Sequence, residues 1–139
     1  MRLLEFHEDH AGAVVALWQK CGLTRPWNDP YRDIARKQTD KNGRFLVGHE
    51  AGQLVATIMV GYDGHRGSIN YLAVDPQFSG HGFGRKLVQA AEEFLRGIGC
   101  AKINLCVRRE NEAVIKFYDK LGYAEETVYY CGKRLIEDQ

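Results

Sequence analysis

The stretch from Tyr71 to Arg85 constrains this chain more than any other: Tyr-Leu-Ala-Val-Asp-Pro-Gln-Phe-Ser-Gly-His-Gly-Phe-Gly-Arg. An apolar, strand-like run from Ile69 to Val74 stops at Asp75-Pro76. A loop spaced by Gly80, Gly82 and Gly84 follows, and then a strongly periodic helix begins. Strand, glycine loop and helix N-terminus in that order make an arrangement that binds a phosphate chain. Glycine lets the backbone approach the ligand, and the unpaired N–H groups of the first helical turn point at the anion.

The remaining sequence narrows the class of protein. A length of 139 residues fits one domain, residues 1–139, around one core. A net charge of +1 argues against a generic nucleic-acid binder, which needs a basic excess or stripe. Cys21, Cys100, Cys106 and Cys131 form no CxxC pair and have no histidine cluster beside them, so neither zinc nor a thioredoxin-like motif is expected. Scattered cysteines of this kind read as reduced core residues. The N-terminus lacks the apolar run of a signal peptide, and no run approaches the ~20 residues of a membrane span. A cytoplasmic protein without nucleic-acid or membrane partners is the expectation.

The chain predicts the order β-α-α-β-β-β-α-β-α-β. A short strand over Arg2 to Phe6 precedes a helix from Glu8 to Lys20 that buries Val14, Leu17, Trp18 and Cys21. Leu23 to Pro30 is a loop, with Pro30 at the first position of a mostly polar second helix reaching Asp40. Phe45 to His49, Leu54 to Gly61 and Ser68 to Val74 form a meander with turns at Ala51-Gly52 and Asp63-Gly64. The helix after the glycine loop carries an apolar face of Phe83, Leu87, Ala91, Phe94 and Ile98. Ile103, Leu105 and Val107 alternate as a further strand. A helix capped by Asn111 buries Val114, Phe117, Tyr118 and Leu121. Tyr123 to Cys131 holds a last strand, with an edge strand or tail at Lys133 to Ile136. The fold class is α/β (α+β): a mixed sheet of six to seven strands flanked by about four helices.

Three phosphate-binding readings compete for the loop. A P-loop needs Lys-Ser or Lys-Thr after its last glycine, but Arg85 stands there. A dinucleotide fingerprint needs an opening βαβ unit and an acid about 20 residues on, and neither is present. The third reading is a pyrophosphate loop for coenzyme A. Glycines that only allow close helix–strand packing are the bland alternative.

Two motifs together carry a resemblance. Leu72 to Arg85 is similar to the acetyl-CoA motif of the GNAT (GCN5-related N-acetyltransferase) family. Asn111-Glu-Ala-Val-Ile-Lys-Phe-Tyr-Asp-Lys-Leu-Gly-Tyr123 resembles that family's second motif, Asn-x-x-Ala-x-x-x-Tyr-x-x-x-Gly-Phe/Tyr. The match runs from about Phe45 to Tyr130. Arg25 to Pro30 and Tyr62 to Gly67 further resemble small bacterial GNAT proteins of the YpeA type.

The resemblance implies a fold, a co-substrate and roles. The strand end at Leu72, Ala73 and Val74 splays from its neighbour, pairs with the pantetheine arm and offers an N–H to the thioester carbonyl. Ser79, Gly80, His81, Gly82, Phe83, Gly84 and Arg85 cradle the pyrophosphate of acetyl-CoA. Asn111 holds the pantetheine arm or only caps its helix. Tyr118 protonates the departing thiolate or is only a core tyrosine. No metal is required. The implied reaction is N-acetylation of a primary amine, on a small molecule or a protein, by direct attack in a ternary complex. A non-catalytic acyl-CoA-binding or sensor module is the alternative.

Two departures from the family pattern matter. Ser79 stands where Gln or Arg is usual and cannot supply a long donor. Ser68 and Cys106 stand where relatives carry a glutamate base, leaving a water chain, Asp29 or Glu110 as substitutes. Cys106 reads as a packed strand residue rather than a nucleophile. Trp27, Asn28 and Asp29 are the acceptor-binding candidates, because an aromatic face beside a carboxylate suits a cationic amine. Their plainer reading is a packed tryptophan and a helix cap. His65 and Arg66 read as a solvated turn. The tail from Tyr129 to Gln139 offers a strand edge for a homodimer.

Overall fold

The meander forms as the alternation predicts. Strands β2 (Arg44–Glu50), β3 (Gln53–Tyr62) and β4 (Gly67–Val74) pair antiparallel in sequence order. β1 (Arg2–Glu5) adds antiparallel to β2, and β5 (Ile103–Asn104) adds parallel to β4. The sheet order is β1-β2-β3-β4-β5. The computed structural model of the chain describes residues 1–138. No helix among them is long and apolar enough to cross a membrane.

Helices cover both faces of the sheet, because β3 carries apolar side chains on each. Met59 joins Phe45, Val47 and Ala73 under α1 (Ala11–Lys20) and α2 (Pro30–Gln38), where Val14, Leu17, Trp18 and Ile34 are buried. Ile58, Val60 and Ile69 face α3 (Phe83–Gly97) and Tyr118 of α4 (Glu112–Lys120). Leu87 is fully buried there, a burial worth roughly 2 kcal/mol. Helix α2 starts as its sequence predicts. Pro30 occupies the first turn, and the Asp29 carboxylate accepts from the Tyr31 and Arg32 amides.

Several expectations are corrected. The mixed sheet has five strands rather than six or seven. β5 pairs with Gly67 and Ser68 only, so Leu105 and Val107 have no ladder to join. Without a longer β5 there is no edge to template Tyr123 to Cys131, and residues 122–138 contain no regular element. Gln139 lies outside the described residues. The first helix opens as a 3-10 turn over Glu8–His10. The buried face of α3 is Phe83, Leu87, Val88, Ala91 and Leu95, rotated from the predicted stripe. Phe94 instead lies on its edge under the Arg44 guanidinium, and Ile98 ends the helix exposed. In α4 only Tyr118 is buried, and Val114, Phe117 and Leu121 are partly covered.

Candidate functional site

The sheet opens where β4 and β5 part. From Ile69 onward β4 has no strand on its β5 side. On its other side a bulge sets Tyr71 and Leu72 opposite Ile58, because Thr57 pairs with Ala73 and Met59 with Asn70. Tyr71 pays for this bulge with a φ of 50°, left-handed backbone that a bulky residue rarely adopts. Three contacts hold it there. Its ring stacks on Trp18 at 3.7 Å between centroids. Its carbonyl accepts from the Thr57 hydroxyl at 2.8 Å, and Thr57 in turn accepts from the Trp18 indole at 2.9 Å.

A cleft of about 1000 Å³ runs through the gap. One end is lined by Leu72, Val74, Ser79, Gly84, Asn111, Phe117 and Tyr118. The Gly82 cap of α3 has a φ of 78° and supplies no side-chain acceptor. The first-turn amides of Phe83, Gly84 and Arg85 therefore face outward without an intrahelical partner. A Cβ on Gly84 would come within 3.1 Å of the Phe117 ring. The loop is thus bare backbone at the point where a ligand would need to approach. Ahead of it, the buried Asp75 carboxylate accepts from the Gln77 amide at 2.9 Å and from Lys20 Nζ at 2.9 Å.

The predicted residues distribute unevenly. Leu72, Val74, Ser79, Gly84, Asn111 and Tyr118 line the cleft. Ala73 is buried under α1, and Phe83 packs in the core against Phe78. Gly80, His81, Gly82 and Arg85 lie on the exposed outer side of the loop. Asn111 makes no side-chain capping bond, so its amide is left for the cleft. Tyr118 is 6% exposed, and burial pushes its hydroxyl well above the usual tyrosine range. It therefore stays protonated at neutral pH. No hydrogen-bond partner holds that hydroxyl among the described residues.

The other end of the cleft is lined by residues other than Trp27, Asn28 and Asp29. Arg25, Asp33, Arg36, Lys37, Met59 and Tyr71 line it. Trp27 is half exposed outside it, and Asp29 is spent on capping α2. Asn28 acts from behind: its amide donates to Asp33 Oδ2 and to the Tyr71 hydroxyl. The Tyr71 hydroxyl donates to Asp33 Oδ2 at 2.6 Å. Burial, and then the Asp33 carboxylate, push Tyr71 upward, so it remains a donor. Glu110 is exposed and does not line the cleft, whereas Asp33 presents a carboxylate within it. Ser68 pairs in the sheet, and Cys106 is an exposed thiol on the cleft wall. His65 and Arg66 form the expected solvated turn, both amides donating to Asp63 Oδ1 at 2.7 Å.

Asp33, Arg36 and Tyr71 line the cleft although the sequence does not single them out as site candidates. Asp33 and Arg36 were absorbed into a polar helix face, and Tyr71 into a strand. The available signal was their spacing, since residues three apart on α2 share one side.

Residues 5–123 match the model of the acetyltransferase (GNAT) family. An acetyltransferase of Sodalis glossinidius is 48% identical over 140 residues, covering 100% of this chain and 99% of its own. AAC(6')-Iy, solved with the bisubstrate analog CoA-S-monomethyl-acetylneamine, superposes with a TM-score of 0.78 at 17% identity, covering 96% of this chain and 97% of that one. The ribosomal-protein-S18-alanine N-acetyltransferase of Escherichia coli gives 0.77 at 21% identity, over 91% and 79%.

Proposed function

The chain belongs to the GNAT acetyltransferase family, and from that premise we propose that it moves an acetyl group from acetyl-CoA to a primary amine. The observation that carries this reading is the cleft itself. It joins a bare helix N-terminus, an unpaired β4 edge, a buried protonated tyrosine and a carboxylate. Acetyl-CoA supplies an acetyl thioester, and the residues around it fit such a ligand. The outward amides at Phe83, Gly84 and Arg85 suit the pyrophosphate, with Ser79, Gly80, His81 and Gly82 shaping the loop. The β4 edge at Leu72, Ala73 and Val74 suits the amides of the arm, and Asn111 adds a polar side chain beside it.

The chain's own groups handle the protons. A primary amine near pKa 10 is almost wholly ammonium at pH 7, with roughly one part in a thousand neutral. Asp33 gathers the cation at the site. The neutral amine, its first proton lost to water, attacks the thioester carbon. Asp33 takes the second proton once the N–C bond has formed, when the nitrogen has become far more acidic. Tyr71 and Asn28 keep the carboxylate aimed. Tyr118 donates its proton to the departing sulfur as the C–S bond breaks. Holding both reactants in one cleft supplies much of the rate.

The acceptor is the amine of a small molecule or of a protein, and the whole chain, residues 1–139, acts as one N-acetyltransferase domain. We assign it to the cytoplasm, where its four free cysteines stay reduced, and cell fractionation checks this. A homodimer through the tail from Tyr129 onward is part of the same reading, although the described tail forms no strand to offer an edge, and a monomer by light scattering rules it out.

Calorimetric titration with acetyl-CoA and CoA, on wild type and Tyr118→Phe, tests the central reading together with thiol release over an amine panel. Binding in both proteins, with turnover about a hundredfold lower in the variant, is the expected result. Binding without turnover on any amine points to the non-catalytic acyl-CoA module instead.

A further inference from the structure

The tail is anchored in an unusual way. Its apolar side chains find no core: Val128, Tyr129 and Leu135 are 71%, 92% and 87% exposed. Asp138, by contrast, is 2% exposed. Its carboxylate accepts from Arg36 twice, Nη1 to Oδ2 at 2.7 Å and Nη2 to Oδ1 at 2.8 Å, and from Arg32 Nη1 at 3.4 Å. This paired fork is the geometry with which a guanidinium grips a carboxylate.

Between its ends the tail touches the outer side of residues that line the cleft, Cys106 and Arg36, without lining it itself. At the near end the Tyr123 hydroxyl donates to Glu92 at 2.7 Å, and Lys102 pairs with Glu126 at 2.6 Å. Tyr130 then lies beside the thiol of Cys106, a cleft-lining residue. Arg134 reaches Asn28 Oδ1 at 3.5 Å before Asp138 docks on α2. The strap runs from α3, past the end of β5, to the helix that carries Asp33.

The place where it docks has a second set of properties. Arg36 lines the cleft, and its Nη1 lies 3.4 Å from Asp33 Oδ1. One wall therefore offers a cation and an anion side by side. An amino acid presents the complementary pair, an ammonium next to a carboxylate.

We propose that Arg36, backed by Arg32, is the carboxylate site of the acceptor, that the acceptor is an amine of amino-acid type, and that Asp138 occupies the site until the acceptor displaces it. This deepens the reading above and rests on it for the reaction, but the site itself binds whether or not turnover occurs. Asp33 takes the ammonium and Arg36 the neighbouring carboxylate, while the tail is an internal competitor that lowers apparent affinity by the fraction of time it is docked.

The test uses L-alanine and ethylamine, which differ by the carboxylate alone, titrated without acetyl-CoA so that the arginine site is read apart from catalysis. The proteins are wild type, Asp138→Asn, and Asp138→Asn with Arg36→Gln. L-alanine is expected to bind Asp138→Asn roughly tenfold more tightly than wild type, and Arg36→Gln is expected to remove the gain. Ethylamine should bind all three alike. In wild type, L-alanine should also speed tryptic cleavage after Lys133 and Arg134 severalfold, because the tail has been released. Equal affinity of L-alanine for wild type and Asp138→Asn overturns the proposal, as does an equal gain for ethylamine. Should Asp138→Asn fail to fold, unchanged cleavage of the wild-type tail in saturating L-alanine overturns it instead. Absence of thiol release with any amine counts against the acetyl-transfer reading and leaves these titrations unaffected.

Discussion

The two ends of the cleft are built by different rules. At the loop end the cleft presents backbone amides and a strand edge, most of them supplied by one contiguous stretch that runs from β4 into α3. At the acceptor end they are side chains from distant parts of the chain. Tyr71 meets Asp33 across 38 positions and Asn28 across 43, and Asp138 meets Arg36 across 102. Backbone recognition of a phosphate chain tolerates changes in most side chains around it. Recognition by converging side chains depends on each member, and so the proposed acceptor end is where specificity can change while the fold persists.

That contrast is broken most directly by Asp33→Asn. On the proposed reading, removing the carboxylate charge takes away both the cation site and the proton acceptor. The kcat/KM for the amine is expected to fall about a hundredfold, while acetyl-CoA affinity by calorimetry stays within about twofold of wild type. An equal loss of acetyl-CoA binding would mean that the two ends are not separable. Tyr71→Phe sharpens the point. It removes only the hydroxyl that aims Asp33, so the loss in kcat/KM should be roughly tenfold.

The reciprocal change is Gly84→Val. A Cβ at this position already meets Phe117 at 3.1 Å and Val74 at 3.8 Å, and two further methyl groups project into the cleft. Acetyl-CoA binding is expected to weaken roughly tenfold, at a stability cost of about 1–3 kcal/mol. The KM for the amine should not change. A variant that binds acetyl-CoA normally would mean that the ligand does not pass over Gly84.

The same contrast explains what could be read from the sequence. The glycine loop, Leu72, Val74, Asn111 and Tyr118 were legible because contiguous motifs specify them, and the local structure follows from spacing. Asp33 and Arg36 were not legible. A polar helix face looks the same whether it meets solvent or a cleft, and only tertiary packing brings Tyr71 onto it. Trp27 and Asp29 stand out in the sequence for the opposite reason, yet neither lines the cleft. Their composition suited a cation, but Asp29 had a local use as a cap. The missing sixth strand is a tertiary effect as well: a pattern suited to a strand forms one only where a partner edge exists, and β5 is two residues long.

Asp75 joins the two halves, and the smallest expected effect lies there. It closes the turn before the glycine loop through the Gln77 amide, and it ties that turn to α1 through Lys20. The Gln77 amide first, then Lys20, hold its carboxyl below the usual carboxylate range. A group whose pKa is depressed on folding binds protons more readily in the unfolded chain as pH falls. Its contribution is complete above the unfolded value, near 4, and is lost as pH drops through the native one. Asp75→Asn keeps an acceptor for the amide but loses the charge. Because Lys20 is half exposed, the loss at pH 7 should be only about 1 kcal/mol by urea unfolding. The difference between variant and wild type should shrink toward pH 3. A loss that stays constant from pH 7 to pH 3 would assign the effect to shape at the turn rather than to charge, and the link between loop and α1 would then be packing alone.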